Sequence, residues 1–161
     1  MANKILTAGE LAKKISLLKK SKKRIVFTNG CFDIIHAGHV DCLSAAKSMG
    51  DALVLGLNSD RSIRGIKGDK RPIVTCDQRA RALAGLECVD YITVFDEPDP
   101  WNLINIIKPD ILVKGGDWSG QTIIGSDIVE KRGGKTLNIP VTPGISTSII
   151  IQRIIDRHKE K

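Results

Sequence analysis

The sequence has few aromatic residues, few cysteines and no long apolar run. Aromatic side chains make up 4% of its 161 residues, so a platform on which nucleic-acid bases stack is not expected. The 4 cysteines form no C-x-x-C pair and no zinc-like spacing, which favours reduced thiols over a metal site. No apolar stretch approaches the roughly 20 residues of a membrane helix, and the N-terminus has no apolar signal region. We therefore expect a cytoplasmic protein without a membrane segment.

Two common nucleotide-binding motifs are also missing from the chain. Neither G-x-G-x-x-G nor G-x-x-x-x-G-K-[ST] occurs, which disfavours a dehydrogenase and a P-loop kinase. The charge nevertheless suits an anionic ligand, because Lys and Arg outnumber Asp and Glu by 25 to 18 and give a net charge of +7. Such a balance fits phosphorylated small molecules, and it also fits nucleic acid.

Apolar runs alternate with helical patterns along the chain, and this alternation predicts an α/β fold. Runs typical of strands buried on both faces occur at residues 25–27, 52–57, 91–95, 111–113 and 136–139. Helices are predicted from the capping box at Thr7 to about residue 21, at 40–49, after Thr75, at 98–108, at 126–132 and after Ser146. We expect one doubly wound, mainly five-stranded parallel sheet in a single domain spanning residues 1–161.

Two of the three histidines, His36 and His39, follow the first predicted strand where a helix begins. Residues three apart share a helix face, so both imidazoles are expected to point the same way. They lie beside the free N–H groups and the positive end of the helix dipole, where anions bind. Gly38 between them lets a ligand approach the backbone. A lone histidine here is usually a cap or a solvated residue, but a pair on one face predicts chemistry.

A second anion site is predicted where the last helix begins. Ser146, Thr147 and Ser148 follow Gly144 and offer hydroxyl groups beside free backbone N–H groups. Helix capping alone is the other interpretation, and the pattern leaves both open. The apolar residues of this helix are expected to pack inward; they are Ile150, Ile151, Ile154 and Ile155.

Residues 61–72 contain five basic side chains and two glycines, and we expect a mobile basic loop. Such a loop either closes over phosphates or remains solvated surface, and composition alone leaves both interpretations open.

The motif T-x-G-x-F-D followed by H-x-G-H resembles the signature of the cytidylyltransferase-like nucleotidylyltransferases. Further segments are similar, in the same order, to the adenylyltransferase domain of bifunctional heptose-phosphate kinase/adenylyltransferases. They are K-G-x-x-R-P from residue 67, D-Q-R-x-x-x-L-A-G-L from 77, L-V-K-G-G-D-W from 112 and G-x-S-T-S-x-I-I from 144. The likeness covers residues 24–155 and includes no kinase domain.

The resemblance implies a Rossmann-like nucleotidylyltransferase fold and an enzyme that transfers AMP from ATP to D-glycero-D-manno-heptose 1-phosphate. The products would be ADP-heptose and pyrophosphate, for lipopolysaccharide or other surface glycan precursors. The G-I-S-T segment at residue 144 is similar to glycerol-3-phosphate cytidylyltransferases, which are the alternative. A non-catalytic nucleotide- or RNA-binding module is the alternative from another class, but charge attraction alone needs neither the histidine pair nor the S-T-S helix start.

The resemblance also implies roles for individual residues. The implied catalytic residues are His36, His39 and Lys67. Those expected to bind the nucleotide or its phosphates are Thr28, Asn29, Gly30, Phe32, Gly38, Arg71, Arg79, Gly115, Asp117, Trp118, Ser146, Thr147 and Ser148. Asp33 and Asp60 are expected near the acceptor hydroxyls. Which phosphate each of Lys67, Lys70, Arg71 and Arg79 contacts is left open.

The expected partners are ATP and a sugar 1-phosphate, with no nucleic acid and no membrane. Mg²⁺ is expected to arrive on the triphosphate, because the sequence contains no visible protein cage for it. A homodimer is expected by analogy with fold relatives.

Overall fold

A parallel sheet forms the centre of the computed structural model, which describes residues 3–116 and 122–159. Its strands are β1 (Ile25–Gly30), β2 (Ala52–Asn58), β3 (Tyr91–Phe95), β4 (Ile111–Gly115) and β5 (Lys135–Ile139). They form one 5-stranded sheet in the order β3-β2-β1-β4-β5, and all neighbouring pairs are parallel. The helices are α1 (Ala8–Lys20), α2 (Ala37–Lys47), α3 (Asp60–Lys67), α4 (Cys76–Ala84), α5 (Trp101–Ile107), α6 (Ser126–Glu130) and α7 (Thr147–His158).

Helices cover both faces of the sheet, and each face has its own apolar core. On one face, Leu43 of α2 and Leu83 of α4 pack against strand residues such as Leu55. On the other face, Leu11 of α1 and Ile104 of α5 belong to a second cluster. The expected doubly wound α/β fold with a five-stranded parallel sheet is therefore confirmed. No helix within residues 3–116 and 122–159 has both the length and the apolar character needed to cross a bilayer.

The order of the strands reverses at β1, which pairs with β2 on one side and with β4 on the other. The register with β2 extends from Ile25, opposite Ala52, to Gly30, opposite Leu57. In open α/β sheets, ligands bind outside the carboxyl ends of the strands at such a reversal. A ligand is therefore expected to bind where β1 and β4 end, directly before the histidine motif.

The segment expected to be a mobile basic loop begins instead as helix α3, and that prediction was wrong for residues 61–67. Ser59 caps the helix, since its hydroxyl accepts the N–H of Ser62 at 3.1 Å. Ile63 is fully buried, so one face of the helix is held by the core. Only residues 68–71 remain as an irregular segment between α3 and the cis peptide before Pro72.

The last helix also differs from expectation. α7 begins after Ser146 as predicted, but none of its residues is buried. Ile154 is 51% exposed and Ile155 is 44% exposed. The expectation that its isoleucines pack inward was wrong for Ile154 and Ile155, whereas Ile150 and Ile151 are half-buried.

We predict that Gly134→Ala destabilises the protein by about 1–3 kcal/mol, the usual range for overpacking. A Cβ there would lie 2.6 Å from the carbonyl oxygen of Asp110 and 2.6 Å from Cγ1 of Val129. Gly65→Ala is the matched control, because its Cβ would meet nothing within 4 Å inside helix α3. It should stabilise the protein by up to about 1 kcal/mol. Urea unfolding of both variants measures this, and equal effects would contradict the tight packing described at Gly134.

Candidate active site

The two histidines lie where α2 begins, immediately beyond the end of β1. His36 is the N-cap residue and His39 lies in the first turn. Their rings stack, with centroids 3.8 Å apart and planes inclined by 19°. The prediction that both imidazoles share one face is confirmed, and they lie beside the positive end of the helix dipole.

Both imidazoles have lowered pKa values. Burial lowers the pKa of His36. Burial, the neighbouring His36 and the cation of Lys67 together lower the pKa of His39 to about 4. Both Nδ1 atoms are buried and have no hydrogen-bond partner among the described residues. At neutral pH His39 is therefore uncharged, and it can offer one N–H donor to an oxygen of a ligand.

The start of α7 lies close to the start of α2. A Cβ on Gly38 would be 3.3 Å from the His36 ring and 3.3 Å from Cγ2 of Ile145. The hydroxyl of Thr142 also donates to the Asp41 carboxylate at 2.8 Å, which joins the loop before α7 to helix α2. Two helix N-termini therefore lie side by side, and each offers free N–H groups to an anion.

The hydroxyl-bearing residues at the start of α7 differ in their contacts. Ser146 is the N-cap, and its Oγ accepts the N–H of Ile149 at 3.2 Å. Thr147 is half-buried and Ser148 is exposed. Capping accounts for Ser146, whereas the predicted phosphate contacts of Thr147 and Ser148 stay a prediction.

Phe32 supports the histidine pair from an unusual backbone position. Its φ of 46° lies in the left-handed region, which a bulky side chain rarely adopts. Its ring lies 5.1 Å from the ring of His39. A Cβ on Gly30 would come within 2.8 Å of the Phe32 ring, so glycine is needed there to leave room for it. Strain of this kind persists only where the surrounding packing enforces it.

Three residues of the predicted set lie in the last half of β1, and they differ in exposure. Thr28 is buried within the strand, whereas Asn29 and Gly30 are half-buried at its end. Asn29 accepts a hydrogen bond from Lys114 at the end of β4, with 2.6 Å between Nζ and Oδ1. Burial lowers the pKa of Lys114. Lys114 is not among the site residues predicted from sequence, although it lies inside the L-V-K-G-G-D-W segment.

Lys67 is the last residue of α3, and its side chain is exposed. It lies near enough to His39 to contribute to the lowered pKa of that imidazole. The cation also lies close to Cys31, where it opposes the effect of burial, which raises the pKa of the thiol. The structure therefore brings Lys67 and the histidine pair into one neighbourhood, as the sequence predicted.

Asp33 lies in the loop between β1 and α2, and it is 2% exposed. Its carboxylate accepts the backbone N–H groups of Ile73 and Val74, both at 2.8 Å. It also accepts from Nε of Arg71 at 2.5 Å. Burial alone would raise the pKa of Asp33, but these donors more than offset burial and lower it. The prediction that Asp33 binds the acceptor was wrong, because protein donors enclose the carboxylate.

Arg79 on α4 is also wholly enclosed. Its guanidinium donates to the carbonyl oxygens of Val74, Cys31 and Asn58 at 3.0, 2.6 and 2.9 Å, and to Asp60 at 2.7 Å. With 0% exposure it presents no surface to a phosphate. The prediction that Arg79 binds phosphate was therefore wrong. Asp60 keeps a side chain that is 29% exposed, and its predicted acceptor contact stays a prediction.

Other predicted residues are less informative. Gly115 is exposed at the end of β4. Asp117 and Trp118 lie outside the described residues. Within residues 3–116 and 122–159, no group of three or more His, Cys, Asp or Glu side chains could hold a metal ion.

A cavity of about 570 Å³ lies elsewhere, at the end of β3. Phe95, Asp96, Asn102 and Ile106 are among its lining residues, and none of the predicted site residues lines it. We place the candidate site at the histidine pair instead, because the titratable groups with lowered pKa values, the backbone strain and the two helix N-termini meet there.

A family model described as Cytidylyltransferase-like matches residues 27–153. The chain belongs to the cytidylyltransferase-like family. The match begins within β1 and ends within α7, so it includes both helix N-termini of the site. The assignment to a nucleotidylyltransferase family made from the T-x-G-x-F-D and H-x-G-H motifs is thereby confirmed.

Curated relatives of the cytidylyltransferase-like chain are considerably longer. The bifunctional protein HldE of Syntrophotalea carbinolica is 48% identical over 158 residues, which are 98% of this chain and 32% of that protein. The chain thus spans about a third of the length of that relative.

Solved structures are similar over most of the chain. A lipopolysaccharide core biosynthesis protein from Thermoplasma volcanium GSS1 is 25% identical with a TM-score of 0.59, covering 74% of this chain and 97% of that one. A pantoate-beta-alanine ligase from Francisella tularensis is 16% identical with a TM-score of 0.63, covering 98% of this chain and 79% of that one. The second likeness supports the fold alone.

We predict that the burial of His39 makes stability sensitive to mild acid. Its folded pKa of about 4 lies below the ordinary value of 6.5, so the unfolded chain binds more protons between these values and stability falls as pH drops through that window. His36 contributes in the same direction. The lowered carboxylate pKa values start from 3.8 or 4.5, so most of their effect lies below this window.

The measurement is the melting temperature at pH 7 and pH 5. His39→Asn should lose less on acidification than the wild type does. His158→Asn is the control, because that side chain is exposed near the end of α7, and it should keep the wild-type difference. Equal losses in all three proteins would contradict the buried, neutral state of His39.

Proposed function

We propose that this protein is a heptose 1-phosphate adenylyltransferase, which transfers AMP from MgATP to D-glycero-D-manno-heptose 1-phosphate. The products are ADP-heptose and pyrophosphate, and the pathway is the synthesis of lipopolysaccharide or another surface glycan. The observation that carries the proposal is the stacked pair of His36 and His39 at the start of α2, beside the start of α7. The 48% identity to the bifunctional protein HldE supports the choice of nucleotide and sugar.

The proposed reaction needs alignment and neutralised charge rather than a covalent intermediate. An oxygen of the sugar phosphate attacks the α-phosphorus of ATP in line. The bond from that phosphorus to the oxygen bridging the α- and β-phosphates breaks, and pyrophosphate leaves with Mg²⁺. His36 and His39 donate hydrogen bonds to α- and β-phosphate oxygens as negative charge accumulates there.

Other cations and hydrogen-bond donors bind the remaining phosphates of the nucleotide. Lys67 stabilises the departing pyrophosphate, because its exposed amine lies near His39. The N–H groups at the start of α7, with Thr147 and Ser148, hold the β- and γ-phosphates. Lys114 and Asn29, joined across the ends of β4 and β1, are within the crevice where the strand order reverses.

ATP rather than CTP is the proposed nucleotide, and this distinguishes the proposal from its runner-up. A glycerol-3-phosphate cytidylyltransferase is the second candidate, favoured by the G-I-S-T segment at residue 144. We predict that kcat/KM with ATP and the heptose phosphate exceeds that with CTP and glycerol 3-phosphate by at least tenfold, or about 1.4 kcal/mol. Release of pyrophosphate measures both pairs. A preference for CTP with glycerol 3-phosphate would replace the proposal by the second candidate, and no turnover with either pair would favour a non-catalytic nucleotide- or RNA-binding module.

We predict that His39→Ala lowers kcat by about 10²–10³-fold and leaves the affinity for ATP nearly unchanged. The reason is that its hydrogen bond strengthens only as charge builds in the transition state. His158→Ala is the matched control, and it should turn over like the wild type. Near-normal turnover by folded His39→Ala protein would remove the pair from the mechanism.

The proposed location is the cytoplasm, where ATP and sugar phosphates are made. The 4 cysteines are all free in the structure, which is in keeping with a reducing compartment.

We further propose that the protein is a homodimer that uses the exposed isoleucines of α7. Ile154 and Ile155 extend an apolar stripe that begins with the half-buried Ile150 and Ile151. An apolar helix face of this kind is commonly covered in an assembly.

The oligomeric state tests this proposal. Ile154→Asp should convert a dimer into a monomer in analytical ultracentrifugation. Ile106→Asp is the matched control, because Ile106 on α5 is 50% exposed against 51% for Ile154, and it should remain dimeric. A wild-type monomer at all accessible concentrations, or a dimer that survives Ile154→Asp, would exclude this interface.

A further inference from the structure

The carboxylate of Asp33 and the guanidinium of Arg71 form an ion pair that neither the proposed chemistry nor the fold alone accounts for. Asp33 lies three residues before His36, on the loop that carries the histidine pair. All its hydrogen-bond partners among the described residues lie at positions 71–74, within the connection from α3 to α4. One carboxylate therefore joins residues 67–71, called the basic segment below, to the loop that carries the histidine pair.

The basic segment is fixed at both ends and exposed between them. α3 holds one end, because Ile63 is fully buried and Lys67 is the last helical residue. Asp33 holds the other end through Arg71. Residues 68–70 between them are all exposed. The backbone of Lys67 and the side chain of Arg71 are thus held by protein contacts before any ligand arrives.

Arg71 is only partly used by this contact. Its side chain is 14% exposed, and among the described residues only its Nε group has a hydrogen-bond partner. With Nε held, the two Nη groups remain available to bind a phosphate in a bidentate manner. Holding Nε restricts the rotation of the guanidinium, so the direction in which the Nη groups point is determined by Asp33.

We propose that Asp33 is a positioning residue, which touches no substrate and aims Arg71 at the phosphates of a ligand bound beside His36 and His39. The inference rests on the proposed function for the identity of that ligand. The ion pair has its two charges largely buried, and such pairs contribute little net stability because desolvation offsets their attraction. In some proteins such pairs are retained because they fix geometry, and this is the role assigned to Asp33 here.

Asp33→Asn removes the ion pair with Arg71 but can keep the hydrogen bonds to the backbone. The amide oxygen can still accept the N–H groups of Ile73 and Val74, but its NH₂ group cannot accept from Arg71. The probe is pyrophosphate, with binding measured by titration calorimetry at constant ionic strength. The dissociation constant should rise about tenfold, and KM for ATP should rise similarly while kcat changes less than about threefold.

Asp90→Asn is the matched control for stability. The Asp90 carboxylate likewise accepts hydrogen bonds from the backbone N–H of Leu53 and from Nζ of Lys47, both at 2.7 Å. It lies where β3 begins, at the opposite end of the sheet from the histidines. Both variants should lose melting temperature, but only Asp33→Asn should lose affinity for pyrophosphate. Equal losses of affinity would mean that Asp33 acts through stability alone, and would overturn the proposal.

Arg71→Met tests whether Asp33 acts through Arg71. Arg71→Met should weaken pyrophosphate binding, and adding Asp33→Asn to it should change the dissociation constant less than about twofold, because the aimed group is already absent. A further loss of about tenfold in the double variant would mean that Asp33 contacts the ligand directly, and would overturn the proposal.

Arg71→Lys covers the case in which Asp33→Asn does not fold. It leaves Asp33 and its two backbone contacts in place, but a lysine amine cannot hold Asp33 and present a second donor pair to phosphate. Its dissociation constant for pyrophosphate should rise about tenfold, and wild-type affinity would overturn the proposal.

The experiment separates this inference from the proposed function. Pyrophosphate binding requires no assumption about the sugar or the base. If the affinities follow the expected pattern but no ADP-heptose forms, the positioning role stands and the proposed function fails. If ADP-heptose forms and Asp33→Asn binds pyrophosphate like the wild type, the positioning role fails alone.

Discussion

The parallel pairing of β1 with both β2 and β4 is the constraint on which the site depends. Parallel strands end at the same edge of a sheet, so the polar segments that follow β1, β2 and β4 are brought together. β1 pairs in register with β2 from Ile25 to Gly30, and this register places Asn58 and Asp60 next to the loop that carries Asp33. The same edge receives Lys114 at the end of β4.

Charged residues at this edge fall into two groups with different functions. Arg79 and Asp33 are buried and use their polar atoms within the protein. Lys67 and Lys70 are exposed and keep their amines at the surface. Since burying a charge is unfavourable unless it is fully bonded, the first group can serve only as a framework. In the proposed function, substrate phosphates are therefore bound by the second group, by the Nη groups of Arg71, by the helix N-termini and by the imidazoles.

Local signals in the sequence were sufficient for the sheet, the helix starts and the histidine pair. The spacing of His36 and His39 predicted a shared helix face, and their rings stack as that spacing requires. Local signals were also present for α3, because Ser59 precedes it and Ile63 anchors it. The basic residues and glycines of residues 61–72 are typical of a loop, and a prediction based on them was wrong where α3 forms.

The roles of Arg79 and Asp33 could not be predicted from local sequence. A basic or acidic residue in a phosphate-binding family is a reasonable ligand contact until its tertiary neighbours are known. The partners of Arg79 are carbonyl oxygens at positions 31, 58 and 74, which only the folded sheet brings together. α7 presents the related problem, since an apolar stripe predicts that a helix is covered without indicating what covers it.

The packing around the histidines fits the proposed role of a neutral pair in a reaction that accumulates negative charge. Burial and Lys67 both disfavour a proton on His39 in the free protein. In the proposed complex, the negative charge of a polyphosphate favours protonated imidazoles, so their pKa rises as the ligand binds. Phe32 holds its ring against His39 at the expense of a left-handed backbone angle. The strained backbone lowers the stability of the free protein, and so do the two Nδ1 atoms, which have no partner within residues 3–116 and 122–159. Their presence at one point of the fold is consistent with a site built to bind developing charge rather than to maximise its own stability.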